Sequence, residues 1–238
     1  MRLFIGMDDI LACYGLLLKE VDEWFTHASS LAGPEVSCRK GCSACCRGLF
    51  DITLLDACYL NKGLDKLAEI DKEAVLKRAE DRLVSLQKLW PEFTLPYLLN
   101  YRPEEDWEDL MPEEDETPCV LLGADGNCLV YDYRPMTCRL NGLPLIDVSG
   151  EPFYDEWCTL NFTGKDPLHQ EGLRWKFRAH FQAELDLFHL FTRELLGRPV
   201  NELDTFIPTA LMIDFDEFDW HGWSLLDSAL ATKPGLTI

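Results

Sequence analysis

The stretch Cys38–Cys46 reads Cys-Arg-Lys-Gly-Cys-Ser-Ala-Cys-Cys and places four cysteines within nine residues. A second set of four follows much later in the chain: Cys119, Cys128, Cys138 and Cys158. Thiolates are the ligands of structural zinc ions and of iron–sulfur clusters. Two groups of four thiols therefore predict a soft-metal site. The alternatives are a disulfide framework and a scatter of buried thiols.

The expected compartment argues against the disulfide framework. The apolar run Leu3–Met7 is too short for the core of a signal peptide, and Asp8 and Asp9 follow it. No later apolar stretch approaches the length of a membrane span. We therefore expect a cytoplasmic protein with no membrane partner. Cytosolic thiols stay reduced, and clustered ones there are usually metal-bound or catalytic.

The charge of the chain argues against nucleic acid as a partner. The formal net charge is −20, whereas phosphate contacts need a basic surface. Five cations nevertheless stand beside the cysteines: Arg39, Lys40, Arg47, Arg134 and Arg139. Neighbouring cations lower the pKa of cysteine and favour the thiolate that binds metal. They support a metal site in this acidic protein, although chance placement would give the same pattern.

The rest of the chain predicts mainly helices. Apolar residues recur with a helical period over residues 7–30, 64–90 and 171–196. Residues 103–116 hold nine acids and two prolines, which is typical of a solvated connector or a short exposed helix.

The predicted fold is mainly α, with helices around an irregular cysteine-rich metal-binding centre and one short β-hairpin. We expect a single domain over residues 1–238. Residues 34–165 form its cysteine region, and residues 1–33 and 166–238 flank that region as helical segments.

The hairpin is predicted from Cys119 to Tyr131, with its turn over Asp125-Gly126. In a regular hairpin, Cys128 pairs with Leu122 and Cys119 pairs with Tyr131. Cys119 would then lie roughly 10 Å along the ribbon from the partner of Cys128, and on the opposite face. A regular hairpin therefore cannot give both sulfurs to one metal ion. Either the strands are bulged or the two cysteines serve different ends.

The spacing of the first cluster has more than one interpretation. A compact trio with a distant fourth ligand is more typical of iron–sulfur binding than of zinc, which usually takes two tight thiol pairs. Cys38-x3-Cys42-x2-Cys45 also matches the trio of radical S-adenosylmethionine enzymes, but the alternating strands and helices of their barrel are missing. Neighbouring side chains diverge, so we expect Cys45 and Cys46 to serve different sites or one of them to stay free.

The remaining candidate ligands carry less information. Cys13 and Cys58 lie on apolar helical faces and match no motif, which predicts buried, inert thiols. The five histidines are scattered and form no metal or catalytic motif. The sequence therefore leaves open which residues would be catalytic and whether the protein is an enzyme.

The two cysteine blocks together resemble one family. Cys38-x3-Cys42-Ser-Ala-Cys45-Cys46-Arg47 is followed by Gly-Asn-Cys128-Leu-Val-Tyr131-x2-Arg134-Pro135-x2-Cys138-Arg139. This order is similar to the YkgJ-like CxxCxxCC cysteine-cluster family of zinc- or iron-chelating proteins, over roughly residues 34–165. One departure is Cys119-Val, where the family usually shows Cys-Pro.

The resemblance implies that eight cysteines bind the metal. They are Cys38, Cys42, Cys45, Cys46, Cys119, Cys128, Cys138 and Cys158. Four further residues would stand around them: Arg47, Tyr131, Arg134 and Arg139. The arginines would either donate hydrogen bonds to the thiolates or fix a turn above Tyr131.

Three functions remain open on this basis. The first is a cytosolic protein that chelates zinc or iron, including iron as an iron–sulfur cluster, through the eight cysteines. The second is an iron–sulfur-dependent protein-modifying enzyme, because flagellin lysine-N-methylases look related through the same cysteine block. The third is a zinc-stabilised interaction platform for a protein partner.

Overall fold

Helices form most of the regular structure. The computed structural model describes residues 6–112 and 114–226. The helices of these residues are α1 (Met7–Ala32), α2 (Leu54–Leu64), α3 (Glu69–Leu89), α4 (Met136–Leu140), α5 (Phe177–Leu196), α6 (Ile207–Ala210) and α7 (Trp220–Leu226). The strands are β1 (Asp51–Thr53), β2 (Leu145–Asp147), β3 (Pro152–Tyr154), β4 (Arg174–Trp175) and β5 (Asp204–Phe206).

The strands form two small sheets. β1 pairs antiparallel with β5, with Asp51 opposite Phe206. β2 lies between β3 and β4, antiparallel to β3 as a short hairpin and parallel to β4. The predicted fold, mainly α with a short β-hairpin, is confirmed. Within the described residues, no helix is both long enough and apolar enough to cross a bilayer.

The first helix is confirmed and supplies a long buried face. Its buried residues are Ile10, Leu11, Tyr14, Leu17, Leu18, Val21, Trp24 and Ala28. The indole of Trp24 packs edge-on against Phe177 of α5, with ring centroids 4.9 Å apart. Gly33 follows the helix with a φ of 59°, which glycine adopts without a steric penalty.

The helix predicted over residues 64–90 is confirmed in part, because it begins later than expected, at Glu69, and ends at Leu89. α2 ends at Leu64, the amide of Leu67 donates to the carbonyl of Leu64 over 3.1 Å, and α3 begins only at Glu69. Leu64 and Leu67 continue the helical period across this turn, so the pattern hides the break. α2 itself is buried on nearly every side and therefore shows no amphipathic period that would predict it.

The helix predicted over residues 171–196 begins later than expected, at Phe177. A 3-10 turn occupies residues 171–173, and Arg174–Trp175 form β4. Leu173 is buried in register with the helix face, which explains the wrong start. The end is confirmed, because Gly197 follows Leu196 in the left-handed conformation with a φ of 77°.

The predicted solvated connector is anchored to the core at two points. Residues 104–106 and 108–110 form 3-10 turns. Trp107 and Leu110 are buried in a small apolar cluster with Trp90 and Phe93. These two side chains hold the acidic segment against the end of α3.

Candidate metal centre

The first cysteine cluster lies on an irregular segment between α1 and β1. The amide of Cys42 donates to the carbonyl of Arg39 over 2.9 Å, and the amide of Cys46 donates to the carbonyl of Ser43 over 3.0 Å. Gly41 has a φ of 84°, a conformation that residues with a side chain rarely adopt. Backbone turns, rather than a helix, therefore shape this cluster.

The second cysteine set reaches the first through a short antiparallel pairing. The amide of Cys119 donates to the carbonyl oxygen of Cys46 over 2.9 Å. The amide of Gly48 donates to the carbonyl oxygen of Thr117 over 2.8 Å. Arg47 faces Pro118 between these bonds. Cys46 and Cys119 are thereby neighbours on adjacent chain segments.

Helix α3 holds the segment that carries Cys119. The guanidinium of Arg78 donates through Nε and Nη2 to the carbonyl oxygen of Val120, over 2.9 and 2.7 Å. One turn further along, Arg82 donates to Thr117 Oγ1 over 3.3 Å and pairs with Asp115. The helix that separates the two cysteine sets in sequence thus brings them together in space.

The hairpin predicted over residues 119–131 forms only in part. Leu122 and Cys128 pair as an isolated antiparallel bridge, which confirms that pairing. The pairing of Cys119 with Tyr131 is wrong, because Cys119 pairs with Cys46 and Tyr131 begins a 3-10 turn. The amide of Leu122 donates to the carbonyl of Cys119 over 3.0 Å, so the chain bends between them. This bend removes the geometric obstacle of a regular hairpin.

Cys138 lies on α4, whose first residue is fixed by a buried carboxylate from α2. Asp56 is 3% exposed, and its Oδ1 accepts from the amide of Met136 over 2.9 Å. The same oxygen accepts from the buried hydroxyl of Tyr14 over 2.7 Å. The position of Cys138 therefore depends on α1 and α2 as well as on α4.

These segments surround one pocket of about 80 Å³, which we call the central pocket. Six cysteines line it: Cys42, Cys45, Cys46, Cys119, Cys128 and Cys138. Apolar walls include Phe50, Leu121, Val130 and Ile207. The lining described by the structure contains no carboxylate and no imidazole. Sulfur is thus its principal metal-binding donor.

Cys38 and Cys158, the outer pair, lie outside the central pocket. Asn161 Nδ2 donates to Cys38 Sγ over 3.3 Å and to the carbonyl oxygen of Gly142 over 2.7 Å. The amide of Cys158 donates to the same carbonyl over 3.3 Å. Asn161 is 1% exposed, and its Oδ1 accepts from the amide of Ser37 over 2.8 Å. One buried amide side chain therefore organises the surroundings of both outer cysteines.

Burial keeps most of these thiols protonated. It raises the pKa of Cys38, Cys128 and Cys138 above the usual value, and it raises the pKa of Cys119 to about 11. The charge of Arg134 lowers the pKa of Cys128, in the direction expected for a nearby cation, but burial outweighs it. At Cys128 and Cys138 the cations thus act in the predicted direction, although burial leaves the net pKa raised.

The adjacent Cys45 and Cys46 share a hydrogen bond between their side chains. This bond raises the pKa of Cys45 and lowers that of Cys46, so Cys45 keeps its proton and donates it to the other sulfur. Both residues line the central pocket. The two sulfurs therefore lie close together, and the expectation that they serve different sites stays a prediction.

The thiols surround the central pocket without converging on one point. All ten cysteines are free, so the structure contains no disulfide framework. Among the described residues, no three His, Cys, Asp or Glu side chains form a group that could hold a metal ion. Zinc–sulfur bonds are about 2.3 Å long. Metal binding therefore requires the sulfurs to move inward.

The arginines near the second cysteine set hold the turn before α4. Arg139 donates to the carbonyls of Arg134 and Asp132, over 2.9 and 2.8 Å, and pairs with Asp22 of α1. Arg134 also pairs with Asp22, and its Cζ lies 3.7 Å from the ring centroid of Tyr131. Arg139 thus fixes the turn, whereas Arg134 and Tyr131 line the central pocket.

Three further positions also lie outside the central pocket. Arg47 pairs with Glu116 over 2.7 Å, with both side chains exposed. Cys58 is buried as predicted, and burial raises its pKa to about 12. Cys13 is exposed on α1, so the prediction of burial is wrong there, because Cys13 lies beside the buried stripe of that helix.

Sequence reasoning misses two residues next to the outer pair. Asn161 belongs to no recognisable motif, so only its contacts identify it. Gly142 has a φ of 115°, and a Cβ at this position would lie 3.0 Å from Cys38 Sγ. Glycine is therefore needed at position 142 both for the backbone and for the space that the sulfur occupies.

Comparison with known proteins agrees with this geometry. Residues 37–158 match the model of the CxxCxxCC family, which is described as a "putative zinc- or iron-chelating domain". The match spans just over half of the 238-residue chain and includes all eight predicted ligands. No curated protein matches the chain, and no solved structure does. The chain belongs to the CxxCxxCC family of zinc- or iron-chelating domains.

Proposed function

We propose that this protein binds zinc or iron through cysteine thiolates at the central pocket. The observation that carries the proposal is the gathering of six cysteines around one cavity of about 80 Å³. These cysteines come from three separate parts of the chain: the 42–46 cluster, the 119–128 segment and α4. A scatter of unrelated buried thiols does not explain such a gathering.

The donor set decides which class of metal fits. Calcium and magnesium take oxygen ligands, whereas thiolates favour zinc and the iron of iron–sulfur clusters. The apolar walls limit access of water to the sulfurs. Arg134 supplies a positive charge that would offset part of the charge of bound thiolates.

The thiols must lose their protons when a metal binds. Because burial raises the pKa of Cys119, Cys128 and Cys138, binding at these positions releases protons to solvent. Cys45 is exposed and offers the metal a first ligand at the edge of the pocket. Once bound, zinc or iron would fix three irregular segments relative to one another, which is the structural role of a closed thiolate site.

Anaerobic purification of the full chain, followed by analysis of metal, acid-labile sulfide and visible absorption, tests this function. A colourless protein with stoichiometric zinc supports zinc binding and directs further work to the interaction-platform alternative. A brown protein with iron and sulfide supports a cluster and directs it to the protein-modifying alternative. A chain that takes up neither zinc nor iron with sulfide under reducing conditions contradicts the proposal.

Matched cysteine variants locate the metal. Cys119→Ser removes a thiol of the central pocket and should lower the metal content by at least one ion per chain. Cys13→Ser alters an exposed thiol of α1 and should leave the metal content unchanged. Equal losses in the two variants would show that the metal is bound elsewhere.

A further inference from the structure

We infer that the eight cysteines form two separate four-thiolate sites, each for one metal ion. This inference rests on the proposed function. The outer site would consist of Cys38, Cys42, Cys45 and Cys158. The inner site would consist of Cys46, Cys119, Cys128 and Cys138.

The outer pair shows that the eight cysteines are not one group. Cys38 and Cys158 lie outside the central pocket, and the carbonyl of Gly142 accepts from the side-chain amide of Asn161 and from the backbone amide of Cys158. The amide of Asn161 also donates to Cys38 Sγ over 3.3 Å. Hydrogen bonds from amides to sulfur are typical of the surroundings of bound thiolates. Asn161 is nearly inaccessible to solvent, so the structure holds this donor in place before metal binds.

The space around Cys38 is shaped for its sulfur. A Cβ at position 142 would stand only 3.0 Å from Cys38 Sγ, closer than van der Waals contact allows. The sulfur therefore occupies room that the missing side chain of Gly142 leaves. A thiol that merely filled the core would not need an aligned amide donor on its other side.

Cys42 and Cys45 are the cysteines that can complete the outer site. They follow Cys38 with three and two intervening residues, and Cys42-x2-Cys45 is the spacing of a metal-binding turn. The amide of Cys42 donates to the carbonyl of Arg39 over 2.9 Å, so a backbone turn keeps Cys42 close to the segment that carries Cys38. Cys42 and Cys45 also line the central pocket, together with the remaining four thiols.

The other four cysteines form a second group around Cys46. Cys46, Cys119, Cys128 and Cys138 all line the central pocket. The backbone bond from Cys119 to Cys46 sets the first two ligands side by side. When the eight cysteines are divided between Cys45 and Cys46, each site has four thiols. Four is the number of ligands that a closed tetrahedral zinc site takes.

Metal stoichiometry tests the division. The full-length chain, prepared anaerobically with all thiols reduced, is titrated with Zn²⁺ and separately with Co²⁺, whose absorption reports tetrahedral thiolate coordination. The wild type should bind two ions per chain. Cys158→Ser and Cys38→Ser, on the outer site, should each bind half as much. Cys138→Ser, on the inner site, should also bind half as much, and Cys158→Ser/Cys138→Ser should bind none.

The outcomes separate failure of this inference from failure of the proposed function. A wild type that binds no zinc, cobalt or iron contradicts both. A wild type that binds one ion, or a Cys158→Ser chain that binds as much as wild type, overturns the division and leaves the central pocket as a single site. Loss of all metal from Cys158→Ser or Cys138→Ser alone also overturns it, because the eight thiols would then act as one polynuclear centre.

Discussion

The backbone amide of Cys119 donates a 2.9 Å hydrogen bond to the carbonyl oxygen of Cys46. The two residues lie on either side of α2 and α3 in sequence, so this bond closes a long loop. It involves no sulfur and therefore aligns the two cysteine sets independently of a metal. A metal that joined the same segments would hold the loop closed, and its binding energy would add to the stability of the fold.

Metal removal should therefore destabilise the protein. A ligand present at about 100 times its Kd stabilises the folded state by about 2.7 kcal/mol. We expect a strong chelator to lower the thermal unfolding midpoint by several degrees or more under reducing conditions, measured by calorimetry. Cys119→Ser should show a smaller chelator effect than wild type. An unchanged midpoint in the wild type would argue against a metal that supports the fold.

The sequence predicts the parts of this structure that have strong local signals. The buried face of α1 repeats with a helical period through Tyr14 and Trp24, and Gly197 marks the end of α5. The cysteine block is equally local, because residue type and spacing together define it. The bridge between Leu122 and Cys128 follows from the turn residues between them.

The parts that the sequence does not predict depend on distant contacts. α2 is buried on nearly all sides, so its pattern carries no period. Asn161 becomes informative only when the fold places it against Cys38. The bonded thiols of Cys45 and Cys46 depend on a turn whose geometry the spacing alone does not determine. Tertiary packing, rather than local propensity, decides these features.

Arg78 should be important for the position of Cys119. Arg78→Ala removes both hydrogen bonds to the carbonyl of Val120. Since bonds from charged groups contribute about 1.5–3 kcal/mol when buried and less when exposed, we expect a loss of about 1–2 kcal/mol in the free energy of unfolding. Metal affinity should fall roughly 10-fold, as for other residues that orient ligands.

Lys77→Ala is the matched control for Arg78→Ala. Lys77 lies on the same helix and pairs with Asp81 over 2.9 Å, with both side chains about two-thirds exposed. Such surface pairs contribute about 0.5 kcal/mol or less. Urea unfolding and competition with a chromophoric chelator measure both variants. If Lys77→Ala weakened metal binding as much as Arg78→Ala, the bonds to Val120 would not explain the effect.

Arg139 should stabilise the turn before α4 more than Arg134 does. Arg139→Met keeps the apolar stem but removes the bonds to Asp132, Arg134 and Asp22. Breaking a buried ion pair costs about 3–5 kcal/mol. Asp22 is 40% exposed, so we expect Arg139→Met to lower the free energy of unfolding by about 2–3 kcal/mol, measured with urea. Arg134→Met should lower the free energy of unfolding by less than Arg139→Met does. A larger loss in Arg134→Met would show that the stacking of Arg134 on Tyr131 holds the turn.

Two acids lie close to the hydroxyl of Tyr14: Asp56, which is buried, and Glu184, which is half-buried. The hydroxyl of Tyr14 donates to Asp56 over 2.7 Å and approaches Glu184 of α5 at 3.3 Å. Burial, with a contribution from the charge of Asp56, raises the pKa of Glu184 to about 8 from the usual 4.5. Burial also raises the pKa of Asp56 to about 6. Glu184 is therefore protonated in the folded protein at neutral pH.

Glu184→Gln should flatten the pH dependence of stability between pH 6 and 8. In this range the folded wild type keeps a proton on Glu184 that the unfolded chain has released, so its free energy of unfolding falls as pH rises. The slope is at most about 1.4 kcal/mol per pH unit. Glutamine accepts the same bond from Tyr14 without a charge, so the variant should lack this slope. Urea unfolding of both proteins, saturated with the same metal so that the metal contribution cancels, measures the difference. Parallel stability curves for the two proteins would show that Glu184 is ionised in the folded state.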